Sequence, residues 1–85
     1  MKAFSYKIKD EVGIHARPAG MLAKEARKYK STVLLKAGEK TAEATKLMAV
    51  MGMGVKCGQI VEVEISGEDE ELAFDGLKAF FEANL

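Results

Sequence analysis

The chain has 85 residues, enough for one domain that buries about 60% of the surface exposed by its unfolded state. Its 13 Lys+Arg residues balance 13 Asp+Glu residues, and a net charge of zero argues against nucleic acid or an anionic membrane as the main partner. One cysteine, one histidine and no long apolar run exclude an internal disulfide, a Cys/His metal site and a membrane-spanning segment, so we expect a cytoplasmic protein that binds other proteins.

A strand is predicted near the N-terminus. Phe4, Tyr6 and Ile8 alternate with polar residues, which is the period of a strand with one buried face and one solvent-exposed face. The following segment, residues 9–14, contains Gly13. The freedom of Gly13 at positive φ suits a loop that sets the direction of the next side chain, and it suits an ordinary turn equally well.

A helix is predicted to begin at Ala16, because Pro18 is tolerated only in the first turn of a helix. His15 then occupies the N-cap position, where Ser, Thr, Asp or Asn would normally accept bonds from the free amides. Those amides and the helix dipole favour an anion, and Arg17 adds a charge-assisted donor for a phosphate. His15 is therefore a candidate phosphoryl acceptor, and the alternative is a surface histidine at a helix end without such a role.

Helical spacing continues to Lys28 and predicts a helix with an apolar stripe that faces a sheet. The basic residue Lys28 is interpreted as a favourable partner of the helix dipole. Lys24 and Arg27 have the same interpretation, or they form a basic rim that attracts acidic partner surfaces. The predicted apolar stripe consists of Ala19, Leu22, Ala23, Ala26 and Tyr29.

A β-hairpin is predicted between residues 31 and 44. Residues 31–36 are rich in Thr, Val and Leu, and Ala37-Gly38-Glu39 supplies the residues of a turn. The second strand, residues 40–44, is short and carries lysine and glutamate. Such a composition is typical of an edge strand that avoids aggregation.

A short helix is predicted over residues 47–53, closed by Gly52 and Gly54. Met48 and Met51 are three residues apart and share one face of this helix. That face either completes the core or is an exposed docking patch. The single cysteine, Cys57, is interpreted as a packing residue rather than a free surface thiol.

The strongest strand pattern is Ile60–Ser66, where valine and isoleucine alternate with glutamate. A final helix is predicted to end near Asn84, with Phe74 and Phe81 off its buried stripe and partly exposed. The resulting β-α-β-β-α-β-α order predicts an α+β open-faced sandwich, with a four-stranded antiparallel sheet and three helices on one face. The predicted buried stripe of the final helix consists of Leu72, Ala73, Gly76, Leu77 and Phe80.

Three segments resemble the HPr family, the histidine-containing phosphocarriers of the bacterial phosphoenolpyruvate:sugar phosphotransferase system. Gly13–Ala19 is similar to the family's active-site signature, and Thr45–Val55 is similar to its second signature. Gly67–Glu71 is similar to the turn into the family's last helix. The resemblance covers essentially the whole chain in one register, and it implies the same open-faced fold that the periodicity predicts.

By this resemblance, His15 accepts a phosphoryl group from enzyme I and passes it to the IIA domains of sugar permeases. Arg17 would stabilise the phosphate, and Ala16 and Pro18 would form the helix start that supports it. The resemblance implies a carrier rather than an enzyme, without a cofactor, and with phosphoenolpyruvate as the indirect phosphoryl source. We expect a monomer, although the sequence does not reveal the oligomeric state. The expected partner-binding residues are Gly20, Lys24, Arg27, Lys46, Leu47, Met48 and Met51.

Lys46 departs from the family pattern, which usually has a serine there. In many Gram-positive relatives that serine is phosphorylated by a regulatory kinase, and Lys46 has no hydroxyl to accept phosphate. Thr45 is predicted to cap the short helix instead. Because a cation at a helix N-terminus is mildly unfavourable, Lys46 is interpreted as a residue that attracts an acidic partner.

Two other functions are compatible with the sequence. One is an HPr-like regulatory protein that is phosphorylated but serves a nitrogen-type or metabolic control branch. The other is an interaction module whose methionine patch binds a helix and whose histidine is incidental. The sugar cannot be deduced, because specificity resides in the downstream permeases.

Overall fold

The computed structural model describes all 85 residues, and its element order is β-α-β-β-α-β-α, as predicted. None of its helices has both the length and the apolar character that crossing a membrane requires. The strands are β1 (Lys2–Lys7), β2 (Thr32–Ala37), β3 (Lys40–Glu43) and β4 (Ile60–Ser66). The helices are α1 (Ala16–Ala26), α2 (Leu47–Gly52) and α3 (Glu70–Asn84).

The four strands form one antiparallel sheet in the order β1-β4-β2-β3. Val63 of the central strand β4 pairs with Phe4 on one side and Leu35 on the other, so these three side chains share a face. The buried residues of β4 lie on the same face, which the helices cover. The predicted open-faced architecture is therefore confirmed.

Helix α1 buries the stripe that its spacing predicts. Ala19, Leu22 and Ala26 are fully buried, and Ala23 is nearly so. The helix ends at Ala26, two residues earlier than predicted, because Arg27 already occupies the C-cap position. The packing of these α1 side chains in the core holds the N-terminal end of the helix in a defined position at the surface.

The buried face of α3 differs in part from the predicted one, since Ala73 and Leu77 are buried as predicted but two other predictions fail. Leu72 is 66% exposed, whereas Phe81 is completely buried, so both predictions are wrong. The buried residues Ala73, Leu77 and Phe81 follow one another at intervals of four, which places Phe81 on the face centred on Leu77.

The packing of Phe81 explains its burial. Its ring meets the rings of Phe4 and Tyr6 edge to face, with centroid distances of 5.7 and 5.6 Å. Phe4 and Tyr6 are half-buried because α3 covers this part of β1. Contacts with the side chains of the edge strand β1 thus bury Phe81 in the core.

Cys57 is exposed, so its predicted packing role is wrong. It lies in the turn between α2 and β4, where its thiol makes only a long contact of 3.8 Å to the carbonyl oxygen of Lys9. The preceding core residue of this segment is Val55. Apolar packing therefore ends before the cysteine is reached.

Asp69 connects the start of α3 to the segment between α1 and β2. Its carboxylate accepts hydrogen bonds from the Ser31 hydroxyl at 2.6 Å, the Lys30 amide at 2.8 Å and the Ser31 amide at 2.9 Å. The hydroxyl of Ser31, followed by the amide of Lys30, holds the pKa of Asp69 below its ordinary value of 3.8.

This pKa shift predicts a loss of stability in acid. The contribution of Asp69 is present above its unfolded-state pKa and disappears as the pH falls through the lower pKa of the folded state. Below about pH 4, we expect the free energy of unfolding of Asp69→Asn to depend less on pH than that of the wild type. Urea denaturation at several pH values measures this, with the exposed Asp75→Asn on the same helix as control. Equal acid dependence of Asp69→Asn and the wild type would contradict the assignment.

Candidate functional site

His15 is the N-cap residue of α1, as the position of Pro18 predicts. Its backbone is extended, with φ −123° and ψ −174°, and its side chain makes no capping hydrogen bond. The amides of Ala16 and Arg17 donate to no acceptor in the protein. The helix therefore presents two free N–H groups and its positive dipole end next to the imidazole.

The imidazole lies in an open pocket of about 270 Å³. The His15 side chain is 40% exposed, so a partner protein can reach the ring. Arg17 is exposed and forms no ion pair, which leaves its guanidinium available for an anion. The pocket is lined by Asp10, His15, Arg17, Pro18, Met21 and Asn84.

The loop before His15 is anchored to the segment after α2. Gly13 has φ +85°, and a Cβ atom at this position would collide with the carbonyl oxygen of Val55 and lie 2.6 Å from the Cα of Lys56. The buried residue Ile14 donates its amide to the Val55 carbonyl at 2.9 Å. Of the two roles open to Gly13, the structure supports a loop that sets the direction of His15.

The same loop is anchored on its other side by the C-terminal residue. The amides of Lys9 and Asp10 donate to the carbonyl oxygen of Leu85 at 2.6 and 2.8 Å. The Leu85 side chain is buried in the core. Sequence reasoning missed this contact, because nothing local to either segment indicates that they meet.

We expect Gly13→Ala to lower the stability of the protein. Gly38→Ala is the matched control, because Gly38 also has positive φ but a Cβ atom added there would meet no atom within 4 Å. The control has only the conformational cost of about 1–2 kcal/mol. Gly13→Ala adds a steric cost of about 1–3 kcal/mol, since backbone atoms must move. Thermal or urea unfolding of the two variants measures the difference, and equal losses would contradict the close packing.

Helices α1 and α2 meet near Arg27. The Arg27 Nη2 atom donates to the carbonyl oxygen of Thr45 at 2.8 Å, just before α2 begins. Lys46, not Thr45, is the N-cap residue of α2, and no side chain caps this helix, so the predicted capping role of Thr45 is wrong. The Lys46 side chain instead forms an ion pair with Glu43 at 3.2 Å. Arg27 thus has a structural contact in addition to its place on the surface.

The predicted partner-binding residues lie along these two helices. Met48 is 76% exposed and Met51 36%, whereas Met53 is buried, which supports the exposed alternative for the methionine face. Met21 of α1 is 41% exposed and was missed by sequence reasoning, although its position off the apolar stripe of α1 could have indicated it. Of the other predicted residues, Gly20 and Leu47 are half-buried, and Lys24, Arg27 and Lys46 are exposed.

Residues 2–83 match the family model described as the PTS HPr component phosphorylation site. The chain is 41% identical over 85 residues to phosphocarrier protein HPr of Mycoplasma genitalium, covering 99% of this chain and 97% of the relative. A solved histidine-containing phosphocarrier protein described for Mycoplasma has a TM-score of 0.91 at 39% identity, covering 93% and 90% of the two chains. A solved HPr of Thermoanaerobacter tengcongensis has a TM-score of 0.92 at 34% identity, covering 98% of this chain and 93% of the solved chain. A structure of an HPr dimer from the same organism has a TM-score of 0.77 at 34% identity, covering 98% of this chain and 95% of the solved chain.

Proposed function

The chain belongs to the HPr family of phosphocarriers of the bacterial phosphotransferase system, and on this basis we propose that His15 takes up the phosphoryl group from phosphorylated enzyme I. His15 then passes the group to the IIA domains of sugar permeases. The observation that carries the proposal is the exposed His15 ring at the N-cap of α1, beside the unpaired amides of Ala16 and Arg17. The cycle contains a phosphohistidine on this ring.

The chemistry of the site follows from charge and position. A phosphoryl group has about two negative charges near pH 7, and the two free amides and the helix dipole favour it at this end of α1. The Arg17 guanidinium adds a charge-assisted hydrogen bond. Because phosphoryl transfer depends mainly on positioning and charge stabilisation, the partners can complete the transfer site when they cover the exposed ring. The chain acts as a carrier, and its partners supply the catalysis.

A reconstituted relay tests the proposal. The protein is incubated with phosphoenolpyruvate and enzyme I, and its mass is measured before and after addition of a sugar IIA domain. We expect the mass of one phosphoryl group to appear on the chain and then to move to the IIA domain. Absence of the first step contradicts the proposal. Acceptance without transfer to any sugar IIA domain would instead indicate the regulatory branch.

The docking face, meaning the exposed methionine face of α2 with Met48 and Met51, yields a separate prediction. Met48 and Leu72 are both exposed apolar residues, but only Met48 belongs to the predicted partner-binding residues, on α2. We expect Met48→Ala to raise the KM of enzyme I for this chain about fivefold, because a buried apolar contact in an interface contributes about 1 kcal/mol. Leu72→Ala should leave the KM unchanged. Equal KM values for the two variants would place the docking face elsewhere.

A further inference from the structure

One edge of the His15 ring faces a carboxylate. The Oδ1 atom of Asp10 lies 3.9 Å from Nε2 of His15. The same oxygen accepts the amide of Val12 at 2.9 Å, and the Asp10 amide donates to Leu85. These contacts hold the carboxylate in place beside the ring. Asp10 and Arg17 are the two charged residues that line the pocket with His15, and the remaining lining residues are uncharged.

A fixed carboxylate at Nε2 distinguishes the two ring nitrogens. A neutral imidazole has one proton, and the negative charge favours that proton on Nε2, which leaves the lone pair on Nδ1. The same charge repels a phosphoryl group from the Nε2 side. Because Nδ1 is bonded to Cγ, it is the ring nitrogen closer to the main chain, whose amides at Ala16 and Arg17 are free. Attraction by the free amides and repulsion by the Asp10 carboxylate therefore both favour a phosphoryl group on Nδ1.

We propose that Asp10 is a positioning residue for His15, which keeps the ring proton on Nε2 and directs the phosphoryl group to Nδ1. This inference rests on the proposed acceptor role of His15. The Nδ1 lone pair forms the P–N bond while the bond from phosphorus to the donor breaks, and its electron pair leaves with the donor. The ring keeps its Nε2 proton and becomes positively charged beside Asp10. On transfer to the acceptor, the P–N electron pair returns to Nδ1 and the ring is neutral again.

The first test measures the tautomer of the unphosphorylated ring by ¹⁵N NMR, at a pH where the ring is neutral. Asp10→Asn removes the charge and retains an oxygen that accepts the Val12 amide. The exposed Glu11→Gln has the same charge change on the adjacent residue. We expect the ratio of Nε2–H to Nδ1–H to fall about threefold to fivefold in Asp10→Asn, as for a partly exposed ion pair, and to stay unchanged in Glu11→Gln.

The second test identifies the phosphorylated nitrogen with phosphoramidate, a small donor that releases ammonia and needs no docking face. By ³¹P NMR, the wild type should have the group on Nδ1, and the proportion on Nε2 should rise about threefold to fivefold in Asp10→Asn. Asp10→Ser, which also has an oxygen acceptor, should behave like Asp10→Asn, and amide spectra confirm that each variant is folded.

Unchanged ratios in Asp10→Asn, or equal changes in Glu11→Gln, would overturn the role of Asp10. These outcomes are distinct from failure of the proposed function, since the tautomer is measured without any partner. Failure of enzyme I to phosphorylate the wild type would contradict the proposed function alone.

Discussion

His15→Ala should take up no phosphoryl group from phosphorylated enzyme I under conditions in which the wild type is fully converted. The chain has a single histidine, so no other imidazole can replace it. The variant should remain folded, because the His15 side chain is partly exposed and makes no capping hydrogen bond. Its stability is expected to stay within about 0.5 kcal/mol of the wild type.

Arg17→Ala separates the acceptor from its supporting cation. It retains the imidazole and the free amides, so it should still be phosphorylated, but about 10²-fold more slowly, as for loss of one charge-stabilising donor. Intact-protein mass spectrometry over time measures both variants. Phosphorylation of His15→Ala at the rate of the wild type would show that another side chain is the acceptor.

Phe81→Ala should have the largest effect on stability, a loss of about 3–5 kcal/mol. Phe81 is completely buried and contacts two aromatic rings of β1, so its truncation leaves a cavity between α3 and the sheet. A domain of this length has a total stability of about 4–13 kcal/mol. The variant is therefore expected to lose a large part of its folding free energy.

Leu72→Ala is the matched control on the same helix, because its side chain is mostly exposed. We expect its stability to change by no more than about 0.5 kcal/mol. Urea denaturation followed by circular dichroism compares the two variants. A larger loss for Leu72→Ala than for Phe81→Ala would instead support the buried face of α3 that was predicted from the sequence.

Features that depend on a few neighbouring residues were predictable. Pro18 determines where α1 begins, since its steric restriction acts within one turn, and His15 follows as the N-cap residue. The alternation in β4 predicts its bounds and its buried face. The resemblance of Gly13–Ala19 to the HPr signature then identified the family, which the comparisons confirm.

Features that depend on distant segments were not predictable in this way. The periodicity of α3 permits more than one buried face, and only the docking of the helix on Phe4 and Tyr6 selects the face that contains Phe81. The predictions that Thr45 caps α2 and that Cys57 is buried are wrong for the same reason, because long-range packing outweighs local preference.

The sequence by itself determined the order of the elements, the start of α1 and the identity of the candidate phosphoryl acceptor, because proline sterics and side-chain periodicity act over a few residues. Only the tertiary structure decided that Asp10 faces His15, that Leu85 anchors the loop before it and that Met48 is exposed. These features arise where segments far apart in the chain meet, and their geometry depends on how the helices pack on the sheet.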